Sequence, residues 1–202
     1  MPSDSVVTRI LSGSLWLGLV GVATVAPPNR PDLGPWLEQM MLGYWIGEEA
    51  WLVAVFWLVG LCAAVAAGIL GPDLRSRPVP AWPFVVGALG LGGFALLPWL
   101  ILSGDRREAP RQAPALIGGR GWGVGCSVLS GAALGCGLWW GDPLGYLAHA
   151  RGDGFAFVMT ADFLALWLTM LLLVRRRSRS WMWLLAVVPV VGPSLWMASG
   201  RR

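Results

Sequence analysis

The sequence predicts an all-α, polytopic integral membrane protein with about six transmembrane helices. Hydrophobic residues make up 56% of the 202 residues, and charged residues make up only 13%. Soluble domains carry about 25% charged residues, so this composition points to lipid as the surrounding solvent. The apolar residues also form runs of about 17 to 25 residues, the length that a helix needs to cross a bilayer. We therefore predict a single membrane domain over residues 1–202.

Six apolar runs are the predicted crossings. The first run has an alternative, a signal peptide cleaved after Ala26, but Pro27 directly after that position argues against cleavage. Loss of this helix would leave five crossings. The predicted crossings lie at about residues 10–26, 50–70, 82–102, 122–140, 155–174 and 181–197.

Other segments connect or interrupt these runs. Residues 36–46 have an amphipathic pattern and are predicted to lie in the headgroup region, with an ordinary loop packed on the bundle as the alternative. Residues 103–120 form a polar loop that would separate two three-helix halves. Pro98 is predicted to kink the third run. A helix break is predicted in the sixth run, at Pro189, Gly192 and Pro193.

The arginines give the predicted orientation. All 15 basic residues are arginines, and six crossings would divide them nine to six between the two sides. The positive-inside rule then favours the cytoplasm for the loops that follow the third and fifth runs. In this arrangement both termini lie on the opposite side of the membrane.

Residue usage excludes several function classes. The chain has no lysine, which excludes chemistry built on a lysine Schiff base. The single histidine, His149, excludes a bis-histidine haem and an all-histidine metal site within one chain, and its loop is predicted to be solvated. Cys62, Cys126 and Cys136 lie inside apolar runs without a CxxC pair, so we interpret them as buried small side chains. No cofactor, metal or nucleic-acid partner is predicted.

Small residues at spacing four are predicted to be helix-packing faces, because they let helix backbones approach closely in lipid. One such row lies in the second run and a longer one in the fourth. The two rows are Gly60, Ala64 and Gly68, and then Gly123, Ser127, Gly131 and Gly135.

The 14 tryptophans are mostly near the predicted ends of the crossings. At that depth an indole ring sits at the level of the lipid headgroups with its N–H hydrated. Trp16, Trp57 and Trp167 fall deeper. An interfacial aromatic belt is therefore the favoured interpretation, and a pigment or quinone pocket built on the three deep residues is the alternative.

Asp162 is the candidate functional residue. It lies seven residues into the fifth run, roughly 10 Å below its start at 1.5 Å per residue. An acid near the centre of a crossing costs about 2.5–3.5 kcal/mol, and such residues are functional candidates by default. Thr169 is predicted to share its face. The predicted hydrogen-bond partners from other helices are Thr24, Ser127, Ser130 or an indole N–H.

Four short sequence segments stand out together, residues 80–84, 93–99, 157–163 and 189–193. These segments resemble a multi-pass membrane family of cyanobacteria and plastids that has no assigned molecular function. The resemblance covers about residues 30–200, and it implies a photosynthetic membrane, either the thylakoid or plasma membrane of a cyanobacterium or a plastid membrane.

Three functions are compatible with these observations. In the favoured one, Asp162 is a hydrogen-bond acceptor that packs helices, and the protein is a non-catalytic accessory or assembly factor of a photosynthetic membrane complex. Its partners would be the lipid bilayer and that larger complex. In the second, Asp162 is the proton or cation site of a small transporter. In the third, it is a general base in a membrane enzyme, which would need a further acid, histidine or metal inside the bilayer.

Overall fold

The computed structural model describes residues 4–29, 33–42, 50–71, 79–103, 117, 119–178 and 181–199. Within these ranges all regular structure is helical. In chain order the elements are α1 (Asp4–Thr24), α2 (Leu33–Leu42), α3 (Ala50–Ile69), α4 (Trp82–Leu91), α5 (Gly93–Leu102), α6 (Arg120–Trp140), α7 (Pro143–Gly152), α8 (Gly154–Arg177), a 3₁₀ helix (Trp181–Val187) and α9 (Val191–Ala198).

Four of these helices, α1, α3, α6 and α8, are long and apolar enough to cross a membrane. Their bounds lie within a few residues of four predicted crossings, apart from α1, which begins six residues earlier than predicted. The other two predicted crossings are each divided into two short helices.

The four long helices form a bundle around α3, which packs against α6 and α8. At one end, which we call the Trp51 end, Gly137 of α6 lies against Trp51 and Ala54 of α3. At the other, the Trp122 end, the Trp122 indole N–H donates to the Ala64 carbonyl at 2.9 Å. Helices α3 and α6 are therefore antiparallel.

The remaining two long helices follow the same alternation. At the Trp51 end, the Gly154 N–H at the start of α8 donates to the Pro28 carbonyl, four residues beyond the end of α1, at 3.4 Å. Helix α1 thus finishes where α8 begins. As a result α1 and α6 run towards the Trp51 end, and α3 and α8 run towards the Trp122 end.

Helices α4 and α5 form a helical hairpin, which we call the first hairpin. In one straight helix Val79 and Trp99 would be about 30 Å apart, yet the Trp99 indole N–H donates to the Val79 carbonyl at 3.1 Å. A Cβ added at Gly87 would lie 3.1 Å from the Cβ of Ala95, so the two helices face each other. Both ends of the hairpin lie at the Trp122 end, where α3 finishes and α6 begins.

The predicted crossing at 82–102 is therefore wrong. The chain turns at Gly92, where φ is 53° and ψ is −130°, and only glycine adopts such a backbone conformation readily. Pro98 lies inside α5, six residues after the turn, and does not set the direction of the chain. An apolar run of 21 residues has the length of a crossing, but length does not reveal a reversal of direction.

The 3₁₀ helix and α9 form a second hairpin. Trp183 at its start lies under the Arg175 guanidinium at 5.4 Å, and α9 finishes beside the start of α6, since a Cβ added at Gly123 would lie 2.6 Å from the Ala198 nitrogen. Both ends are thus at the Trp122 end, so the predicted crossing at 181–197 is also wrong. The predicted helix break, Pro189, Gly192 and Pro193, lies at or beside the turn, where Val190 has φ 59°.

The packing face of α6 differs from the predicted row. Gly123 contacts α9, but Ser127 is half-buried and donates to the carbonyl of Gly123 at 2.8 Å. Gly131 and Gly135 are exposed, with no neighbouring atom within 4 Å of an added Cβ. Steps of four residues advance about 40° around a helix with 3.6 residues per turn, so the row leaves the buried face. The buried residues alternate steps of three and four: Gly123, Cys126, Ser130, Ala133 and Gly137.

The predicted packing row on α3, Gly60, Ala64 and Gly68, contacts other helices only in part. Gly60 has open space around it. The Ala64 carbonyl accepts the hydrogen bond from Trp122. Gly68 is buried against Met197 of α9, whose Sδ would lie 2.6 Å from an added Cβ. The end of this row therefore packs the second hairpin onto α3.

Two surface helices lie at the Trp51 end. Helix α2 covers residues 36–42 of the predicted interfacial segment, and Trp36 in it is buried edge-on against Phe155 at 5.8 Å. Residues 43–46 and most of the predicted polar loop, 103–120, lie outside the described residues. The predicted loop after α6 is instead α7, whose start is capped by Asp142 accepting from the Leu144 N–H at 2.9 Å.

Candidate functional site at the tip of the first hairpin

The Asp162 side chain of α8 meets the turn of the first hairpin. Its Oδ1 accepts a hydrogen bond from the Gly93 N–H at 2.7 Å, and the residue is 6% exposed. Gly93 is the first residue of α5. The first N–H groups of a helix have no partner within the helix, and the helix dipole favours negative charge there. Asp162 therefore caps α5 from a different helix.

Two adjacent glycines allow this approach. A Cβ added at Gly92 would overlap the Asp162 carboxylate, and one added at Gly93 would lie 2.7 Å from Oδ1. Any side chain at either position would push the carboxylate away from the N–H that it accepts. A glycine is thus needed at position 92 for two reasons: the positive φ of the turn and the close contact with Asp162.

The contact lies deep in the bundle. Asp162 is eight residues after Gly154, about 12 Å from the start of α8. The hairpin tip is ten residues from the start of α4, about 15 Å from the Trp122 end. Leu19 of α1 and Leu97 of α5 flank Gly93, and both are buried. The acid and the hairpin tip therefore meet near mid-depth among apolar side chains.

The next residue of α5 is held by α1. The Phe94 carbonyl would normally accept from the N–H of residue 98, but that residue is Pro98, which has no N–H. The Trp16 indole N–H takes its place and donates to the Phe94 carbonyl at 3.3 Å. Adjacent backbone groups at the start of α5 are thus bonded to α8 and to α1.

The same substitution of an indole for a lost backbone donor occurs once more. Trp167 donates at 3.1 Å to the Ala186 carbonyl, whose partner in a 3₁₀ helix would be Pro189, three residues on. A third indole, that of Trp99, donates at 3.1 Å to the carbonyl of Val79, which precedes α4. Pro98 and Pro189 thus leave two carbonyls that tryptophans satisfy.

This arrangement changes the interpretation of the tryptophans. Trp16 and Trp167 bind the backbone of different hairpins, while Trp57, the third deep tryptophan, is 40% exposed. The three do not line one pocket. Trp99, assigned from its position to the aromatic belt, is 4% exposed and fastens the base of the first hairpin.

Other residues predicted for the site are elsewhere. Thr169 is buried, but its hydroxyl donates to the Ala165 carbonyl at 2.7 Å, about 10 Å along the helix from Asp162. Ser127 and Thr24 bond carbonyls of their own helices. The partner of Asp162 is the backbone of Gly93, which sequence reasoning missed. The available signal was the run of glycines at 87, 90, 92 and 93.

A surface cleft of about 440 Å³ lies at the Trp51 end, remote from Asp162. Asp153, in the His149 loop that is predicted to be solvated, is 5% exposed and caps α8 by accepting from the Ala156 N–H at 2.9 Å. Nearby, burial raises the pKa of Tyr146, while its hydrogen bond with Thr160 at 2.6 Å acts in the opposite direction. Among the described residues there is no group of three histidine, cysteine or acidic side chains that would hold a metal. The cleft is lined by Pro28, Asn29, Ala148, His149, Gly152 and Asp153.

Comparison of the chain with protein-family models, with curated proteins and with solved structures finds no match.

Proposed function

We propose that the chain is an integral membrane protein in which α1, α3, α6 and α8 cross the bilayer and both hairpins are re-entrant from the Trp122 end. The outward faces of the long helices are apolar, with Leu17, Val128 and Leu138 between 64% and 70% exposed. Irregular backbone at membrane depth requires burial in protein, and Gly92 and Gly93 at the turn of the first hairpin are buried.

The arginines support this topology independently. Both hairpins return to the Trp122 end, so every connection except those after α1 and α6 belongs to that end. Thirteen of the 15 arginines then lie at the Trp122 end, and only Arg30 and Arg151 belong to the Trp51 end. A topology with six crossings would instead place nine arginines on one side and six on the other. By the positive-inside rule the Trp122 end, with both termini, faces the cytoplasm.

Labelling tests this orientation. With the native cysteines replaced by alanine, single cysteines introduced at Arg107 and Arg151 are expected to react from opposite sides with an impermeant maleimide. In intact cells Arg151→Cys should be labelled and Arg107→Cys protected, and inside-out vesicles should reverse the result. A third site, Asp4→Cys, distinguishes the topologies further, because it should behave like Arg107→Cys. Labelling of Arg107→Cys in intact cells would contradict the proposed orientation.

The function that this geometry supports best is proton- or cation-coupled transport by a non-catalytic membrane protein, with Asp162 as the ion-binding group. The observation that carries the proposal is the contact between a buried carboxylate and the tip of a re-entrant helix near mid-membrane. Interrupted helices and intramembrane acids together mark ion and substrate sites of transporters. A carboxylate that accepts one N–H can exchange that contact for a proton or a cation.

Flux in proteoliposomes tests this function. The wild-type chain is expected to dissipate an imposed proton or sodium gradient, and Asp162→Asn to reduce the rate at least tenfold while eluting as a folded monodisperse species. Asp142→Asn is the matched control, because that acid caps α7 at the surface. Equal rates for wild type and Asp162→Asn under every gradient would remove Asp162 from the transport mechanism.

A second function, an accessory or assembly subunit of a larger membrane complex, is favoured by the outer face of α6. Gly121, Gly125 and Gly135 are exposed there with open space around them, and small residues are typical of helix–helix contacts in lipid. The resemblance to cyanobacterial and plastid proteins suggests a photosynthetic complex and membrane for this role.

Co-purification tests the accessory function. From native membranes solubilised in a mild detergent, the chain is expected to migrate with a complex several times its own mass. Gly125→Leu with Gly135→Leu should release it, whereas Val128→Leu, a change of an exposed residue on the same helix that is already large, should not. Migration of the wild type as a free chain would exclude this role.

A further inference from the structure

The chain consists of two successive units with the same order of elements. Residues 4–102 contain a long helix, a short surface helix, a second long helix and a hairpin. Residues 120–198 repeat this order with α6, α7, α8 and the second hairpin. Both units run in the same direction, since α1 and α6 begin at the Trp122 end and both hairpins enter from that end.

The contacts between elements repeat as well. In the first unit α1 packs on α5 and α3 on α4, and in the second unit α6 packs on α9 and α8 on the 3₁₀ helix. Between the units, α3 contacts α6 as α8 contacts α1, and α5 contacts α8 as α9 contacts α3. Helices α3 and α8 contact each other. This pattern is that of a two-fold relation about an axis parallel to the long helices, a parallel repeat of the kind found in transporters.

The two hairpins differ in the contacts that hold them. The second hairpin is held by apolar packing against the neighbouring unit, where Gly68 of α3 lies against Met197, and by backbone packing within its own unit, where Gly123 of α6 lies against Ser194 and Ala198. The first hairpin meets an ionisable side chain, because its tip donates to Asp162. Packing between glycine and backbone is independent of charge. A hydrogen bond to a carboxylate weakens when that carboxylate takes up a proton or binds a cation.

From this asymmetry we propose that the first hairpin is a gate on the cytoplasmic side, released when Asp162 takes up a proton or cation, and that the second hairpin is a fixed plug. The proposal rests on the transport function proposed above and adds its regulation. The Trp16 indole donates to the neighbouring Phe94 carbonyl and is uncharged. This hydrogen bond therefore keeps α5 attached to α1 after the Asp162 carboxylate has released the Gly93 N–H. Movement is therefore expected at the tip, around Gly92.

The ionisable groups around Asp162 are few. Helices α4 and α5 contain none, and in α3 the one such group is Cys62, which is buried and within electrostatic range of Asp162. In α1 the ionisable residues Asp4 and Arg9 are near the opposite end from Leu19, and Arg9 is exposed. In α8 the nearest arginine, Arg175, is about 20 Å along the helix. Helix α7, which also packs on α8, carries Tyr146, His149 and Arg151, and Asp153 follows it, all at the Trp51 end. Asp162 is the ionisable side chain that bonds the tip itself, so a pH response of the tip is expected to originate there.

Distances between spin labels test the gate. In a chain with its cysteines replaced by alanine, a reference label at Leu144 on α7 is paired with a label at Leu91, beside the first turn, or at Val188, beside the second. All three side chains are at least half exposed. In nanodiscs, lowering the pH from 8.5 to 4.5 should shift the Leu91 distance by about one helical turn, on the order of 5 Å, and leave the Val188 distance unchanged. Asp162→Asn should give the shifted distance at pH 8.5, whereas Asp162→Glu should retain the pH response.

The outcomes separate the gate from transport. An unchanged Leu91 distance, or equal shifts at both sites, overturns the gate whether or not flux is observed. A shift confined to Leu91 without measurable flux supports the gate and rejects the transport function. A folded elution profile and an unchanged Val188 distance in Asp162→Asn show that the variant keeps its architecture.

Discussion

Replacing Gly92 by valine is expected to destabilise the protein more than any other single substitution in the first hairpin. The residue has φ 53° and ψ −130°, and a side chain in such a backbone conformation costs of order 1–3 kcal/mol. The new Cβ would also overlap the Asp162 carboxylate, so the bond to the Gly93 N–H would be lost and two buried polar groups left without partners, at about 1–3 kcal/mol. The expected loss is roughly 2–6 kcal/mol.

The measurement is the midpoint of thermal unfolding in detergent, followed by tryptophan fluorescence. Gly90→Val is the matched control, because Gly90 lies two residues earlier in α4 with open space around it. It should lower the midpoint by only a few degrees. Gly92→Val with Asp162→Ala should recover part of the loss, since the shorter side chain vacates the space that the new Cβ needs. Equal midpoints for Gly92→Val and Gly90→Val would contradict the geometry of the turn.

The second large effect is expected at Trp16, where the indole replaces the donor that Pro98 removes. Trp16→Phe keeps a ring in the same place but leaves the Phe94 carbonyl without a donor, which should cost about 1–3 kcal/mol. Pro98→Ala restores a backbone N–H at residue 98, so the helix can satisfy the carbonyl itself. In the Pro98→Ala background the same Trp16→Phe change should therefore cost much less.

A double-mutant cycle measures this relation. The coupling free energy between Trp16 and Pro98 is expected to be about 0.5–3 kcal/mol, the range for residues that share one interaction. Trp57→Phe is the control, because this exposed ring belongs to α3, a different helix from α1 and α5, which carry Trp16 and Pro98. Its cost should be the same with and without Pro98. A coupling near zero would show that the indole does not replace the missing donor.

The sequence predicts the long helices well and the hairpins badly, for one physical reason. A run such as 50–70 is uninterrupted and matches α3, Ala50–Ile69. The run at 82–102 has the same length and hydropathy, but it folds back. The chain reverses direction because of the backbone conformation of Gly92. In the sequence this residue is one glycine among many, so its conformation cannot be predicted from the pattern.

The candidate site around Asp162 is likewise predicted only in part from the sequence. The burial of Asp162 follows from its place in an apolar run, and it is 6% exposed in the structure. Its partner is the N–H of Gly93, which any residue except proline also has, so the run of glycines around it is the one sequence signal of the contact. From the sequence, the tryptophans are assigned by their position along the helices. The sequence also shows a proline four residues after Phe94 and another three residues after Ala186, and this spacing marks the two carbonyls that Trp16 and Trp167 bind.

The return of both hairpins to the Trp122 end also bears on the membrane insertion that the proposed topology requires. With that topology only two connections, residues 25–49 and 141–153, would be carried across the bilayer. Each contains a single arginine, and together they hold six of the chain's 11 acidic residues. The arginine-rich sequence segments 72–78, 104–116 and 175–179 would stay on the side of the ribosome. Under the proposed topology, biogenesis would therefore not have to move a cluster of positive charge through lipid.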